Sequence, residues 1–237
     1  MGPSAYDTCH PHRAYGARGE PGPPVVVDRA AGMAGGELVL RRAGGDYEII
    51  SNGVFLMDTR GGRSERLLVR AALARAAAPV RVLIGGLGVG FSLAEAAAHA
   101  PAGAAITVVE LEPAVIGWHR THLRSYSADA LDDPRVTVTR ADLLDWLPAA
   151  RARFDVICLD IDNGPHWTVT DRNAGLYGHD GLAMLADRLA PGGALAVWSA
   201  GAAPDFAVRL RARFAEVEVH AVAAVRGEPD VIYVASH

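Results

Sequence analysis

The chain has 237 residues, 50% of them hydrophobic and 21% charged, a length and balance that suit one large α/β domain with a small appendage. That hydrophobic share excludes a mostly disordered chain, and no apolar run reaches the roughly 20 residues that span a bilayer. Net charge is −4, from 27 acidic residues against 23 basic ones, all arginine, and so even a balance argues against non-specific nucleic-acid binding.

Residues 1–24 are rich in Gly, Pro, His and Arg without periodicity, and a mobile arm is expected there. They hold no apolar stretch of the kind a secretory signal needs. The only cysteines are Cys9 and Cys158, too few for a disulfide framework or a CxxC metal pair. A reducing, cytoplasmic setting is therefore expected. A small β region is expected over 25–62, built from short β-rich runs at 37–42, 47–51 and 54–58. Asn52-Gly53 between the last two is a strong hairpin signal, because both residues tolerate positive φ.

From residue 63 onward the pattern alternates. A helix over 64–78, stopped by Pro79, precedes a strand over 80–85 and a helix over 91–100. Then follow a strand at 106–111, a helix at 113–125, a strand at 136–140, a short helix to 150 and a strand at 154–160. A polar-aromatic loop over 161–173 leads to a helix ending at 190, a strand at 194–199, a helix at 205–214 and strands at 217–221 and 231–235. Continuously apolar strands alternating with helices indicate a doubly wound, mostly parallel sheet covered on both faces. Seven strands are expected, the last two as an antiparallel hairpin, in a Rossmann-like domain over 63–237.

Gly86, Gly88 and Gly90 form G-x-G-x-G where the first parallel strand turns into a helix. Glycine there lets the backbone come close to a ligand. Glu110 ends the next strand, where an acid accepts hydrogen bonds from ribose hydroxyls. The dinucleotide spelling G-x-G-x-x-G is not met, since Phe91 stands at its last place, so S-adenosylmethionine is preferred to a nicotinamide cofactor. Asp142, after the third strand, has two readings of equal weight. It caps the helix that follows, or it accepts from an adenine amino group with Leu143 against the base.

Ligands of open parallel sheets bind at the carboxyl ends of the strands. Asp160, Asp162, Asn163, His166 and Trp167 fall there. Asp160 and Asp162 are candidates to orient an amine or take its proton, and His166 to serve as base for another nucleophile. Trp167 and Tyr177 are candidates to close the pocket. A lone loop histidine is more often solvated than catalytic. No pair of metal ligands falls on one element, so no metal is expected. His119 and His122 are read as the solvated face of the 113–125 helix.

The order of motifs resembles the spermidine synthase family, within the class I S-adenosylmethionine-dependent methyltransferase fold. Asn52-Gly53-Val54-Phe55 stands where that family has an Asp-Gly hairpin, and Ser64-Glu65-Arg66-Leu67-Leu68 where it has a His-Glu-Met-Leu helix start. Val109-Glu110-Leu111-Glu112-Pro113, Asp133-Pro134-Arg135-Val136, Leu189-Ala190-Pro191-Gly192-Gly193 and the Phe154-to-Asp160 strand follow in order. The resemblance implies a nucleoside-bearing sulfonium donor, an essential aspartate at Asp160, an amine partner at Glu65 and dimer contacts through the N-terminal sheet.

Several positions depart from the family pattern. Its Gly-Gly-Gly-Asp-Gly-Gly loop reads Gly-Gly-Leu-Gly-Val-Gly here, Leu56 replaces the hairpin glutamine, and Arg63-Ser64 replace Tyr-His. Its Asp-x-x-Asp reads Asp160-Ile161-Asp162-Asn163, and its later Phe-Tyr pair falls on Gly181-Leu182. These are the groups that grip the amine. The expectation is therefore a methyltransferase using S-adenosylmethionine on a small-molecule acceptor, in a homodimer. The alternatives are an aminopropyltransferase using decarboxylated S-adenosylmethionine and a diamine held by Asp160, Asp162 and Glu65, or a non-catalytic homologue that binds an adenosine ligand.

Overall fold

The computed structural model describes residues 23–77, 80–224 and 227–237; nearly all of the expected arm, 1–22, lies outside them. Four strands come first, β1 Val25–Ala31, β2 Glu37–Ala43, β3 Asp46–Ser51 and β4 Val54–Asp58, paired antiparallel in that order. The β3–β4 hairpin turns at Asn52 and Gly53, with φ of 51° and 78°, as a two-residue turn with both centres left-handed requires. β1 is an addition to the strands read from sequence. Its run Val25-Val26-Val27-Asp28-Arg29-Ala30-Ala31 is mostly exposed, so no alternation marks it, and pairing with β2 is what makes it a strand.

Helix α1, Arg63–Arg75, leads into the second sheet. Its strands are β5 Arg81–Gly85, β6 Ala105–Glu110, β7 Val136–Arg140, β8 Phe154–Leu159, β9 Leu189–Ser199, β10 Glu216–Val222 and β11 Asp230–Ser236. Between them run α2 Phe91–His99, α3 Pro113–Trp118, α4 Leu143–Ala149, α5 Ala174–Tyr177, α6 His179–Arg188 and α7 Pro204–Arg213. The strand order is β10-β11-β9-β8-β5-β6-β7. All pairs are parallel except those of β11, which is antiparallel to both β9 and β10.

The sheet's two faces take alternate residues, as the period of a strand demands. Val82, Ile84, Val156 and Cys158 pack with α1, α2 and the N-terminal sheet. Leu83, Ile157, Leu159 and Val197 pack with α4, α6 and α7. The N-terminal sheet is fastened to the rest by polar contacts as well. Trp118 donates its indole N–H to Asp28 at 2.7 Å, and the Met33 amide donates to the Glu112 carboxylate at 3.0 Å. No helix among the described residues is long and apolar enough to cross a membrane.

α3 is shorter than the sequence suggests. It stops at Trp118, and a series of turns follows. His119 is therefore not on a solvated helix face but only 2% exposed, whereas His122 is exposed. The helix expected to end at 190 is two, α5 and α6, divided at Gly178, whose extended backbone breaks the run.

Candidate active site

The strand order reverses between β5 and β8, and the crevice outside the carboxyl ends of those two strands is where ligands bind on such sheets. Here the main chains of the two strand ends touch. The Asp160 amide donates to the Gly85 carbonyl at 2.9 Å, and the Gly86 amide to Val109 at 2.9 Å. Gly86 has φ of 87° and Gly88 of 49°. A Cβ on Gly86 would strike the Asp160 carbonyl, and one on Gly88 the Met57 sulfur. Only glycine fits at either place.

A cavity of about 1040 Å³ opens over this loop. The glycine loop, the N-terminal sheet, the 161–173 loop and the β10–β11 hairpin all contribute to its lining. Among the described residues, ten carboxylates and three guanidinium groups line it. Two of the three arginines are already neutralised, Arg41 by Glu48 and Arg60 by Glu48 and Asp58.

Glu110 lies beside the glycine loop, 8% exposed. It accepts from the Leu87 amide at 2.8 Å and from the Glu112 amide at 2.7 Å. Burial pushes its pKa up, and those amides pull it back. A carboxylate has about four lone-pair sites, so acceptor capacity remains for a ribose hydroxyl.

Three carboxylates gather around Ser64 and Ser92. Asp160 accepts from the Ser92 hydroxyl at 2.7 Å. Ser64 Oγ lies 2.8 Å from a Glu65 oxygen and 2.7 Å from an Asp230 oxygen. A hydroxyl has one hydrogen, so Ser64 donates to one of these acids; the other contact is a hydrogen bond only when that second carboxyl holds a proton. Burial, then the charges of Glu65 and Asp230, push Asp160 up to about 7. Glu65 and Asp230 are raised as well, each first by burial. Such a cluster is electrostatically incomplete until a cation enters it.

Gly86, Gly88, Glu110, Glu65, Asp160, Asp162, Asn163 and Trp167 all line the cavity. Gly90, Asp142, Leu143, His166 and Tyr177 do not. Gly90 caps the start of α2. Asp142 caps α4 by accepting from the Leu144 amide at 2.8 Å and pairs with Arg172 at 2.8 Å, so the capping reading describes its geometry. Leu143 is buried against Gly85. His166 is exposed.

Asp162 reaches the cavity wall, yet its oxygens are occupied from within the loop. They accept from the Val169 amide at 2.7 Å, the Asn173 amide group at 2.9 Å and the Tyr177 hydroxyl at 2.8 Å. Tyr177 is itself 2% exposed and packs edge-on to Phe206. This pair anchors the loop rather than covering a ligand. Trp167, 58% exposed, is the aromatic at the rim.

Sequence reasoning passed over Ser92, Met57 and above all Asp230. The only signal for Asp230 was an acid opening an apolar strand. It meets Ser64, 166 residues away along the chain, because β11 pairs with β9.

A family profile, the spermine/spermidine synthase domain, matches residues 63–199. The chain is similar to a polyamine aminopropyltransferase of Mycobacterium tuberculosis, 37% identical over 178 residues, which cover 73% of this chain and 32% of that one. It is also similar to polyamine aminopropyltransferase 1 of Streptomyces coelicolor, 32% identical over 177 residues, 74% of this chain and 31% of that one. The chain thus spans about a third of the length of these relatives. A spermidine synthase in complex with the transition-state analogue AdoDATO shares the fold, with a TM-score of 0.74 at 18% identity over 89% of this chain and 73% of that one. These findings overturn the expectation of a methyltransferase, because the relatives carry aminopropyltransferase names. In space, Glu65 and Asp160 are joined by a further carboxylate, Asp230 of β11. From the match over 63–199, the chain belongs to the spermine/spermidine synthase family.

Proposed function

We propose that the protein transfers an aminopropyl group from decarboxylated S-adenosylmethionine to a small amine. The observation that carries this reading is the group of Glu65, Asp160 and Asp230 beside the glycine loop in an acid-rich cavity. Carboxylates brought so close, in a partly desolvated place, raise one another's pKa and favour a cationic guest. A donor that keeps its own carboxylate meets repulsion there; a decarboxylated donor and a diammonium acceptor do not.

Gly86 and Gly88 let the nucleoside come close to the backbone, and Glu110 accepts from its ribose. The sulfonium donor supplies a carbon already activated by the neighbouring positive charge. Attack by the amine forms the C–N bond as the C–S bond breaks, and the sulfur keeps the electron pair in 5′-methylthioadenosine. Asp160 takes a proton from the bound ammonium before this attack, which gives the nitrogen its lone pair, while Glu65 and Asp230 hold the amine in line. Asn163 and Trp167 line the acceptor side, and Asp162 keeps their loop in place.

Titration calorimetry tests the donor. Decarboxylated S-adenosylmethionine is expected to bind at least about tenfold more tightly than S-adenosylmethionine, a difference of about 1.4 kcal/mol. Equal affinity, or preference for the carboxylated form, contradicts the proposal. A homodimer through the N-terminal sheet is part of the same reading. Val54 and Phe55 on edge strand β4 are 42% and 46% exposed, and exposed edges tend to pair. Light scattering should give twice the 24.9 kDa chain mass; the mass of one chain counts against the dimer.

A further inference from the structure

Behind the glycine loop, on the side away from the cavity, stands a residue that neither the site nor the chemistry above has used. His119 follows the last turn of α3 and is 2% exposed. Its Nε2 lies 2.9 Å from the Gly88 carbonyl oxygen, and its Nδ1 3.3 Å from the Ser127 hydroxyl. A carbonyl only accepts, so Nε2 must carry the proton and Nδ1 of the neutral ring is bare; the one Ser127 hydrogen goes to the Arg124 carbonyl, 3.0 Å away, or to Nδ1, not to both. Burial favours that neutral form.

The fit between ring and loop is close. A Cβ on Gly90 would lie 2.6 Å from His119 Cε1 and 2.7 Å from Ser127 Cβ. Gly88 is thus held from two sides, by Met57 of β4 and by the His119 imidazole. The neighbouring residues are also tied, Gly86 to Val109, Leu87 to Glu110 and Gly90 to the Leu87 carbonyl. Gly88 has φ of 49°, a conformation that glycine allows but does not enforce. The imidazole supplies the constraint that glycine lacks.

We propose that His119 is a positioning residue of the donor site, which fixes the Gly88 peptide and so presets the loop that receives the nucleoside. This rests on the reading of that loop as the donor site. A bond that preorganises a binding loop lowers the ordering cost of association. Its loss should therefore weaken donor affinity more than turnover.

The test compares the full-length chain with His119→Leu and His119→Gln. The leucine removes the donor, while the glutamine amide can still reach the Gly88 carbonyl. Hydrogen exchange is measured on the ligand-free proteins, so that it does not depend on any view of function. The leucine variant should exchange about tenfold faster at the amides of 86–90, with no change in the β10–β11 hairpin, and the glutamine variant should recover most of that protection. The Kd for 5′-methylthioadenosine and the donor KM should rise about tenfold in the leucine variant while kcat falls less than about threefold. Unchanged exchange at 86–90, a uniform rise over the whole chain, or a glutamine variant no better than leucine would overturn the proposal. Should the leucine variant fail to fold, Ser127→Ala removes the hydroxyl beside Nδ1 together with its bond to the Arg124 carbonyl; it should raise exchange at 86–90 by about two- to threefold, and no rise counts against His119. A wild-type protein that binds no adenosine ligand refutes the functional reading, while the exchange data still decide the role of His119.

Discussion

In the proposed reaction Asp160 is the base, and a base works best with a pKa near the working pH. Burial and the Glu65 charge push it up to about 7, from 3.8 in an unfolded chain. The folded protein therefore binds more protons than the unfolded one between those two values, and stability falls as pH rises through that window. Asp160→Asn removes this cost. Relative to the wild type, the variant should gain thermal stability from pH 5 to about pH 7 and level off above it, while losing at least about a hundredfold in turnover. Melting curves of the two proteins that stay parallel across the range would show that Asp160 is not a strained acid. At this scale the sequence was partly legible. Glu65 opens a helix and Asp160 ends a strand, both places that local pattern marks. Asp230 enters only through the antiparallel register of β11 with β9, which no local window contains. His119 is buried where the sequence suggests a solvated face, because α3 ends at Trp118 instead of running on to 125.

Among the elements, the 161–173 loop shows best how polar side chains build a wall. Asp162 collects three donors from Val169, Asn173 and Tyr177, and the Tyr177 hydroxyl is buried with it. Asp162→Ala leaves those donors without their partner, at a cost of about 3 kcal/mol. Urea denaturation should read that loss, and limited proteolysis should cut within 163–173 at concentrations that spare the wild type. A loss below about 0.5 kcal/mol, the size of an ordinary surface change, would mean that the loop stands without its aspartate. Asp162 could be picked from the sequence as important, but the pattern does not say that its oxygens face inward to the loop. The turn of the glycine loop was readable, since positive φ at Gly86, Gly88 and Gly90 is what three glycines at a strand-to-helix turn imply, though Gly90 caps α2 and does not line the cavity. Strand β1 was not, because exposed residues on an edge carry no hydrophobic period.

The architecture of the whole molecule followed from a coarser signal. Apolar strands alternating with helices fix a sheet with two covered faces, and the pairing of β11 between β9 and β10 completes it. Function was harder to see, because it depends on how four distant segments enclose one acid-rich cavity. Leu56, Arg63 and Ser64 in place of the family's gripping residues pointed away from amine chemistry. The cavity's charge, which sums contributions from the N-terminal sheet to the β10–β11 hairpin, points back to it. The most direct measurement is product analysis by mass spectrometry after incubation with each donor and a panel of diamines. With decarboxylated S-adenosylmethionine the account predicts 5′-methylthioadenosine in step with an amine heavier by one aminopropyl group. S-adenosylhomocysteine and a methylated acceptor formed from S-adenosylmethionine, with no aminopropylated amine from the other donor, would contradict it.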